Sequence, residues 1–170
     1  MTKAIESHET VFLDSSSSSY YVARRIIEDG LPVTVITNSL PVINLVGHGR
    51  PAHVDLIGLG GEFRKTTQSF VDPGTVRAIE GLSADRAIFS VNGIAPDGSL
   101  TDPNPEEATV KRAMIGHART VVLIEAAEKW GDRGPNVIVA AASVHAAYLA
   151  DPPDDGVDRL EALGVRITRV

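Results

Sequence analysis

Six short polar clusters carry residue types suited to holding a small anionic, hydroxylated molecule. The first is Asp14-Ser15-Ser16-Ser17-Ser18-Ser19. Serines supply hydroxyl donors with little bulk. A helix starting behind them would add unpaired N–H groups and partial positive charge, which suits a phosphate. Composition alone also permits a plain Ser-rich cap. The second cluster is Thr37-Asn38-Ser39, which by itself reads as ordinary N-capping. The third is Gly60-Gly61-Glu62, where paired glycines either let backbone approach a ligand or make a turn. The fourth, Asn92-Gly93, is also a common turn dipeptide. The fifth is Glu107 with Lys111, four apart on one helix. That pair is either an acid/base couple or a helix-stabilising ion pair worth ~0.2–0.5 kcal/mol. The sixth is Lys129 in Glu128-Lys129-Trp130-Gly131, otherwise a solvated lysine.

What raises these signals is placement. The apolar pattern alternates short β-branched runs with longer runs of helical period, the pattern of parallel α/β folds. Strands are expected at Thr10–Leu13, Pro32–Thr37, Val54–Leu59, Arg86–Val91, Thr120–Ile124, Val137–Ala141, His145–Leu149 and Val165–Val170. Helices are expected at Ser18–Asp29 (closed by Gly30), Leu40–Gly47, Asp72–Leu82, Asn104 to about Arg119, and Val157–Leu163. Asn104-Pro105-Glu106-Glu107 reads as a capping box, and Lys111, Arg112 and Arg119 suit the helix C-terminal half. Glu62–Val71 reads as short irregular strands, Asn92–Asp102 as a loop and Pro152–Gly156 as a turn cluster. Five of the six clusters follow an expected strand. In a parallel sheet those ends share one edge, so the groups converge on one crevice.

Composition removes other chemistries. With 16 Lys+Arg against 22 Asp+Glu, the net charge is −6 and no basic stripe offers a grip on a nucleic-acid backbone. Zero cysteines exclude thiolate metal sites and cysteine nucleophiles. His8, His48, His53, His117 and His145 lack metal-ligand spacing, and no GxSxG elbow occurs. Gly47-His48-Gly49-Arg50-Pro51-Ala52 fits GxGxxA on paper, but it follows a helix and Pro51 breaks the next one, so it reads as a turn. No apolar run spans a membrane and no secretory h-region is present, so a cytoplasmic location is expected.

The ordered motifs resemble the C-terminal sensor domain of DeoR-type bacterial transcriptional regulators, from about Thr10 to Val170. The family's D-S-G-S-T-T stands here as Asp14–Ser19, its T-N-S as Thr37-Asn38-Ser39 and its L-G-G-E as Leu59-Gly60-Gly61-Glu62. S-F-V-G-P appears as Ser69-Phe70-Val71-Asp72-Pro73, and N-G-I with G-L-T as Asn92-Gly93-Ile94 and Gly98-Ser99-Leu100-Thr101. P-E-E-A-x-x-K-R-A-M is complete from Pro105 to Met114, and the late D-x-S-K-F-G is altered around Lys129-Trp130-Gly131.

The resemblance implies one Rossmann-like, three-layer α/β/α domain over residues 1–170. Its mostly parallel sheet would be similar to that of the ribose-5-phosphate isomerase and CoA-transferase group. It implies a phosphorylated sugar or polyol effector, no cofactor and no metal. A dimer or tetramer is implied, with DNA contacted only through a helix-turn-helix domain outside this chain. Phosphate is expected at the Ser loop, Asp14, Ser15, Ser17, Ser18 and Ser19, and near Lys111. The sugar is expected against Thr37, Asn38, Ser39, Gly60, Gly61, Glu62, Asn92, Gly93, Glu107 and Lys129. Lys111→Ala would then weaken such an effector by about 1.5–3 kcal/mol.

Two alternatives follow from departures and shared fold. The related isomerases carry an acidic D-G-A-D-E loop where this chain has Asn92-Gly93-Ile94-Ala95-Pro96, which favours binding without turnover. Glu107 and Lys111 keep isomerase or deaminase chemistry as the alternative. Ser16 replaces a family glycine, at a cost of about 1 kcal/mol if φ must be positive. Glu128 beside a phosphate would repel it; together these departures motivate a second alternative, an oligomerisation module without ligand.

Overall fold

Alternate residues of the central strands belong to two different cores. In Thr10–Leu13 (β1), Val11 and Leu13 enter one and Phe12 the other. This is the period-2 alternation of a sheet buried on both faces. The computed structural model describes residues 5–49, 51–126, 129–131 and 133–170. Glu128 lies outside them.

After β1 come Ser17–Glu28 (α1), Val33–Thr37 (β2), Leu40–Gly49 (α2) and Val54–Gly58 (β3). A small hairpin, Phe63–Arg64 (β4) and Ser69–Phe70 (β5), precedes Pro73–Glu80 (α3) and Ala84–Phe89 (β6). Gly93–Ile94 (β7), Ser99–Asp102 (β8), Pro105–Gly116 (α4) and Ala118–Ala126 (β9) follow. The chain continues with Asn136–Ala140 (β10), Ala146–Ala150 (β11), Asp154–Ala162 (α5) and Arg166–Arg169 (β12).

The main sheet has seven strands in the order β12-β11-β9-β6-β1-β2-β3, and every pairing in it is parallel. From β1 the chain winds outward through β2 and β3, then returns to the other side of β1 with β6 and winds outward again. That reversal is the topological switch point of a doubly wound sheet. One core takes Val22, Ala23 and Ile26 of α1 with Val42 and Val46 of α2. The other takes Ile79 of α3, Val110 and Met114 of α4, and Val157 and Leu160 of α5. The three-layer α/β/α arrangement is thus as expected.

Four local expectations change. Asn92–Asp102 is not all loop. Ile94 pairs with Leu100 across a turn at Gly98, whose φ is +80°. Pro and Gly punctuation masks two very short strands there. Residues 137–140 join these two in a separate antiparallel sheet, β10-β8-β7, and not the main one. Arg119 lies on β9, beyond the end of α4. Finally, α5 begins at Asp154, inside the expected turn cluster.

Candidate functional site

The loop from β1 into α1 opens at the switch point, and buried Asp14 organises it from beneath. Asp14 Oδ1 accepts from Ser16 N–H at 3.2 Å, Ser16 Oγ at 2.5 Å and Ser19 Oγ at 2.5 Å. Its Oδ2 accepts from Ser90 N–H at 3.2 Å, tying the loop to the end of β6. Ser16 is the N-cap of α1, with φ −71° and ψ 156°, and its Oγ accepts from Ser19 N–H. No left-handed residue is needed, so Ser16 is unstrained where the resemblance led us to expect a glycine. Ser15, Ser16, Ser17 and Ser18 line a crevice of about 900 Å³, while Asp14 and Ser19 lie behind its wall.

Helix α4 brings Glu107 and Lys111 to the same crevice, but not as partners of each other. Lys111 Nζ donates to Asp102 Oδ2 at 2.8 Å and lies 3.6 Å from Asp14 Oδ2. Burial works against its charge, but Asp14 and then Asp102 outweigh that, holding the ammonium above the ordinary lysine range. Glu107 accepts from Ser15 Oγ at 2.9 Å and from Ser69 Oγ at 2.5 Å. The expected capping box is therefore half built. Asn104 Oδ1 caps the N–H groups of Glu106 and Glu107, but Asn104 N–H is taken by Asp102 Oδ1 at 2.9 Å. The Asp102 turn thus releases the Glu107 carboxylate into the site.

The far wall comes from the ends of β6 and β9. Glu125 accepts from Ser90 Oγ at 2.9 Å and Val91 N–H at 2.8 Å. Asn92, Lys129 and Ser39 also line the crevice, as does the aromatic pair Tyr20 and Tyr21 on the first turns of α1. Asp102, Ser90, Glu125 and the tyrosines were not singled out from sequence. Asp102 ended the expected loop Asn92–Asp102 and Glu125 follows the expected strand Thr120–Ile124, where a lone carboxylate carries no spacing signal.

The remaining expected residues do not line the crevice. Thr37 Oγ1 accepts from Ser39 N–H at 3.0 Å and closes the turn into α2. Asn38, fully buried, holds the β4–β5 hairpin. Its Nδ2 donates to Phe70 O at 3.0 Å, and Phe70 N–H donates back to Asn38 O at 2.9 Å. Leu40 N–H donates to Gln68 O at 2.9 Å on the same side. Gly60 O accepts from Thr75 Oγ1 at 2.7 Å, and Glu62 O accepts from Val71 N–H at 2.9 Å. Gly61 has φ +149°, and a Cβ there would lie 2.1 Å from Thr75 Oγ1. Close approach to α3 by itself requires glycine there. Glu62 instead lines a groove with Asp72 and Arg77 of the α3 region. Gly93 sits in β7, where its carbonyl accepts from Thr101 Oγ1 at 3.2 Å.

Of these contacts, those of Asn38, Leu40 and Glu62 hold the hairpin beside the crevice. Its tip, Arg64-Lys65-Thr66-Thr67-Gln68, lines the cavity. The signal was available in sequence as two adjacent basic residues followed by three polar ones, within a stretch without helical period.

Chemically, the crevice offers many hydroxyls, three carboxylates (Asp102, Glu107 and Glu125) and cations from three elements. Lys111 is a poor proton donor near neutrality, because its two carboxylate neighbours stabilise the charged form. Both Glu107 oxygens already accept hydrogen bonds. Among the described residues, no group of three or more His, Asp or Glu side chains is arranged to hold a metal ion. None of the helices is long and apolar enough to cross a membrane among those residues.

A family model described as the DeoR C-terminal sensor domain matches residues 1–148. An uncharacterised HTH-type transcriptional regulator of Bacillus subtilis, YulB, is 27% identical over 99% of this chain and 64% of its own. The L-fucose operon activator of Escherichia coli is 29% identical over 76% of this chain and 52% of its own. The lactose phosphotransferase system repressor of Staphylococcus epidermidis is 32% identical over 75% of this chain and 49% of its own. The chain therefore spans about half to two-thirds of the length of these relatives. Among solved structures, ribose 5-phosphate isomerase A of Methanocaldococcus jannaschii has TM-score 0.52 at 15% identity, over 76% of this chain and 49% of that one. The δ subunit of eIF2B from Chaetomium thermophilum has TM-score 0.52 at 16% identity, over 79% and 46%. These two similarities establish the Rossmann-like fold and nothing finer.

Proposed function

The chain belongs to the DeoR C-terminal sensor domain family, and from that premise we propose that its crevice binds a phosphorylated sugar or polyol as a regulatory effector. Occupancy would be passed to a helix-turn-helix DNA-binding domain, which relatives named as HTH-type regulators point to. The observation that carries this reading is the switch-point crevice, where the α1 N-terminus and its serines face the carboxylates and amide of Glu107, Glu125 and Asn92. N–H groups, hydroxyls and cations suit a phosphate, while carboxylates and an amide suit sugar hydroxyls.

Binding without turnover is the favoured form of this reading. Sugar-phosphate isomerisation needs an available base and a proton donor near the carbon acid. Here Glu107 is engaged at both oxygens and Lys111 is locked between Asp14 and Asp102.

The test is a thermal-shift and calorimetry panel of pentose, hexose and amino-sugar phosphates with their unphosphorylated counterparts. Stabilisation by a phosphorylated sugar or polyol, without its conversion, is expected. No stabilisation by any of them sinks the reading. Turnover of a member of the panel that disappears in Glu107→Gln would replace it with the enzymatic one.

A further inference from the structure

The obvious cation for an anionic effector is Lys111, yet its charge is already matched. It donates to Asp102 at 2.8 Å and faces Asp14 at 3.6 Å, with the side chain 6% exposed. An added anion would have to compete with two fixed carboxylates there. The β4–β5 hairpin brings two other cations to the cavity. Arg64 has a single acidic neighbour among the described residues, Glu106 at 3.7 Å, and its Nε is shielded from solvent with no acceptor. Lys65 has no acidic partner among the described residues.

We propose that Arg64 and Lys65, from the hairpin side of the crevice, grip the anionic group of the effector against the N-terminal turn of α1, and that Lys111 does not. This deepens the sensor reading and rests on it only for the identity of the effector. The geometry supports a built site. Glu107 is hydrogen-bonded both to Ser15, in the loop before α1, and to Ser69, directly opposite Arg64 in the hairpin. Thr67 Oγ1 lies 2.7 Å from Ser69 Oγ, extending the chain of contacts toward the tip. The two sides of the grip are thus fixed to one carboxylate. Asn38 and Leu40 hold the hairpin from behind through Phe70 and Gln68. A guanidinium with an unmet donor can offer a phosphate oxygen a charge-assisted hydrogen bond without first breaking a strong one.

The probe is inorganic phosphate, titrated into the protein at low ionic strength and followed by phosphorus NMR line broadening. Arg64→Gln with Lys65→Gln is expected to weaken phosphate by at least about tenfold with little change in melting temperature, since Lys65 is exposed and half-buried Arg64 has only the long contact to Glu106. Arg119→Gln, on a cation at the opposite edge of the sheet, is expected to leave the affinity unchanged; equal loss there would mean general charge attraction and overturn the grip. Arg64→Lys is expected to fall between wild type and the double variant, because an ammonium lacks the planar fork. Phosphate binding that survives the double variant overturns the inference, as does wild-type protein that takes up no phosphate at millimolar concentration. If phosphate binds and the double variant loses it, but no sugar phosphate binds more tightly than phosphate alone, the grip stands and the sugar-sensor reading fails.

Discussion

Lys111 Nζ donates to Asp102 Oδ2 at 2.8 Å, with both side chains buried at the base of the crevice. The contact makes Lys111, expected from the resemblance near a phosphate, the counter-charge of a buried carboxylate at the site's floor. Asp14, 3.6 Å away, shares that cation.

Lys111→Met removes the compensation of two buried carboxylates. A loss of about 3–5 kcal/mol in stability is expected, measured by urea denaturation, because the unpaired charges stay buried. Adding Asp102→Asn should recover part of it. A Lys111→Met protein as stable as wild type would show that the cluster is solvated.

The same cluster sets a pH signature. Lys111 has its folded pKa raised, so its contribution is whole below the unfolded lysine value of about 10.4 and fades as pH rises through the folded value. The stability gap between wild type and Lys111→Met should stay constant through neutral pH and shrink only in strongly alkaline buffer. Denaturation curves across that range provide the check; a gap already closing near neutral pH contradicts the pairing.

Asp72 gives the opposite signature. Its carboxylate is held below the usual range, first by the Thr75 N–H it accepts from as N-cap of α3. That contribution is present above the ordinary Asp pKa and is lost as pH falls through the lower folded value. Asp72→Asn should flatten the acid limb of the stability profile.

Gly61→Ala should lower stability by about 1–3 kcal/mol from backbone strain alone. The added Cβ also meets Thr75 Oγ1 at 2.1 Å, breaking the α3 start away from the strand that precedes the hairpin. Calorimetric melting measures the loss. An unchanged melting point would mean that this loop has a second, relaxed conformation.

Asn38→Ala should release the hairpin without touching the crevice lining. The lost bond to Phe70 O leaves a buried acceptor unpaired, worth about 1–3 kcal/mol. Hydrogen exchange at the N–H groups of Leu40 and Phe70 should speed up more than exchange in β1 or β6. Uniform acceleration across the sheet would assign Asn38 a global role.

Much of this molecule is legible in the chain itself. Period-2 runs such as Thr10–Leu13 and amphipathic stretches such as Ser17–Glu28 report burial directly, because each residue's partition between core and water is local to its own element. Ser15, Ser17, Ser18, Ser39, Asn92, Glu107, Lys111 and Lys129 all come to one crevice, since strand ends of a parallel sheet must share an edge. What sequence could not assign is which polar group each of them satisfies. Thr37, Asn38, Gly60, Gly61 and Glu62 also follow strands, yet do not line the crevice: Thr37 bonds Ser39, Asn38 bonds Phe70, Gly60 bonds Thr75 and Glu62 bonds Val71. Asp102 and Glu125 carry no motif, but burial forces them to find Lys111 and Ser90. Hydrogen bonds and ion pairs are short-ranged and directional, so their partners exist only after the chain has folded. The succession of strands and helices follows from patterning, whereas the allocation of charge within the crevice follows from distances of about 3 Å that only tertiary packing sets.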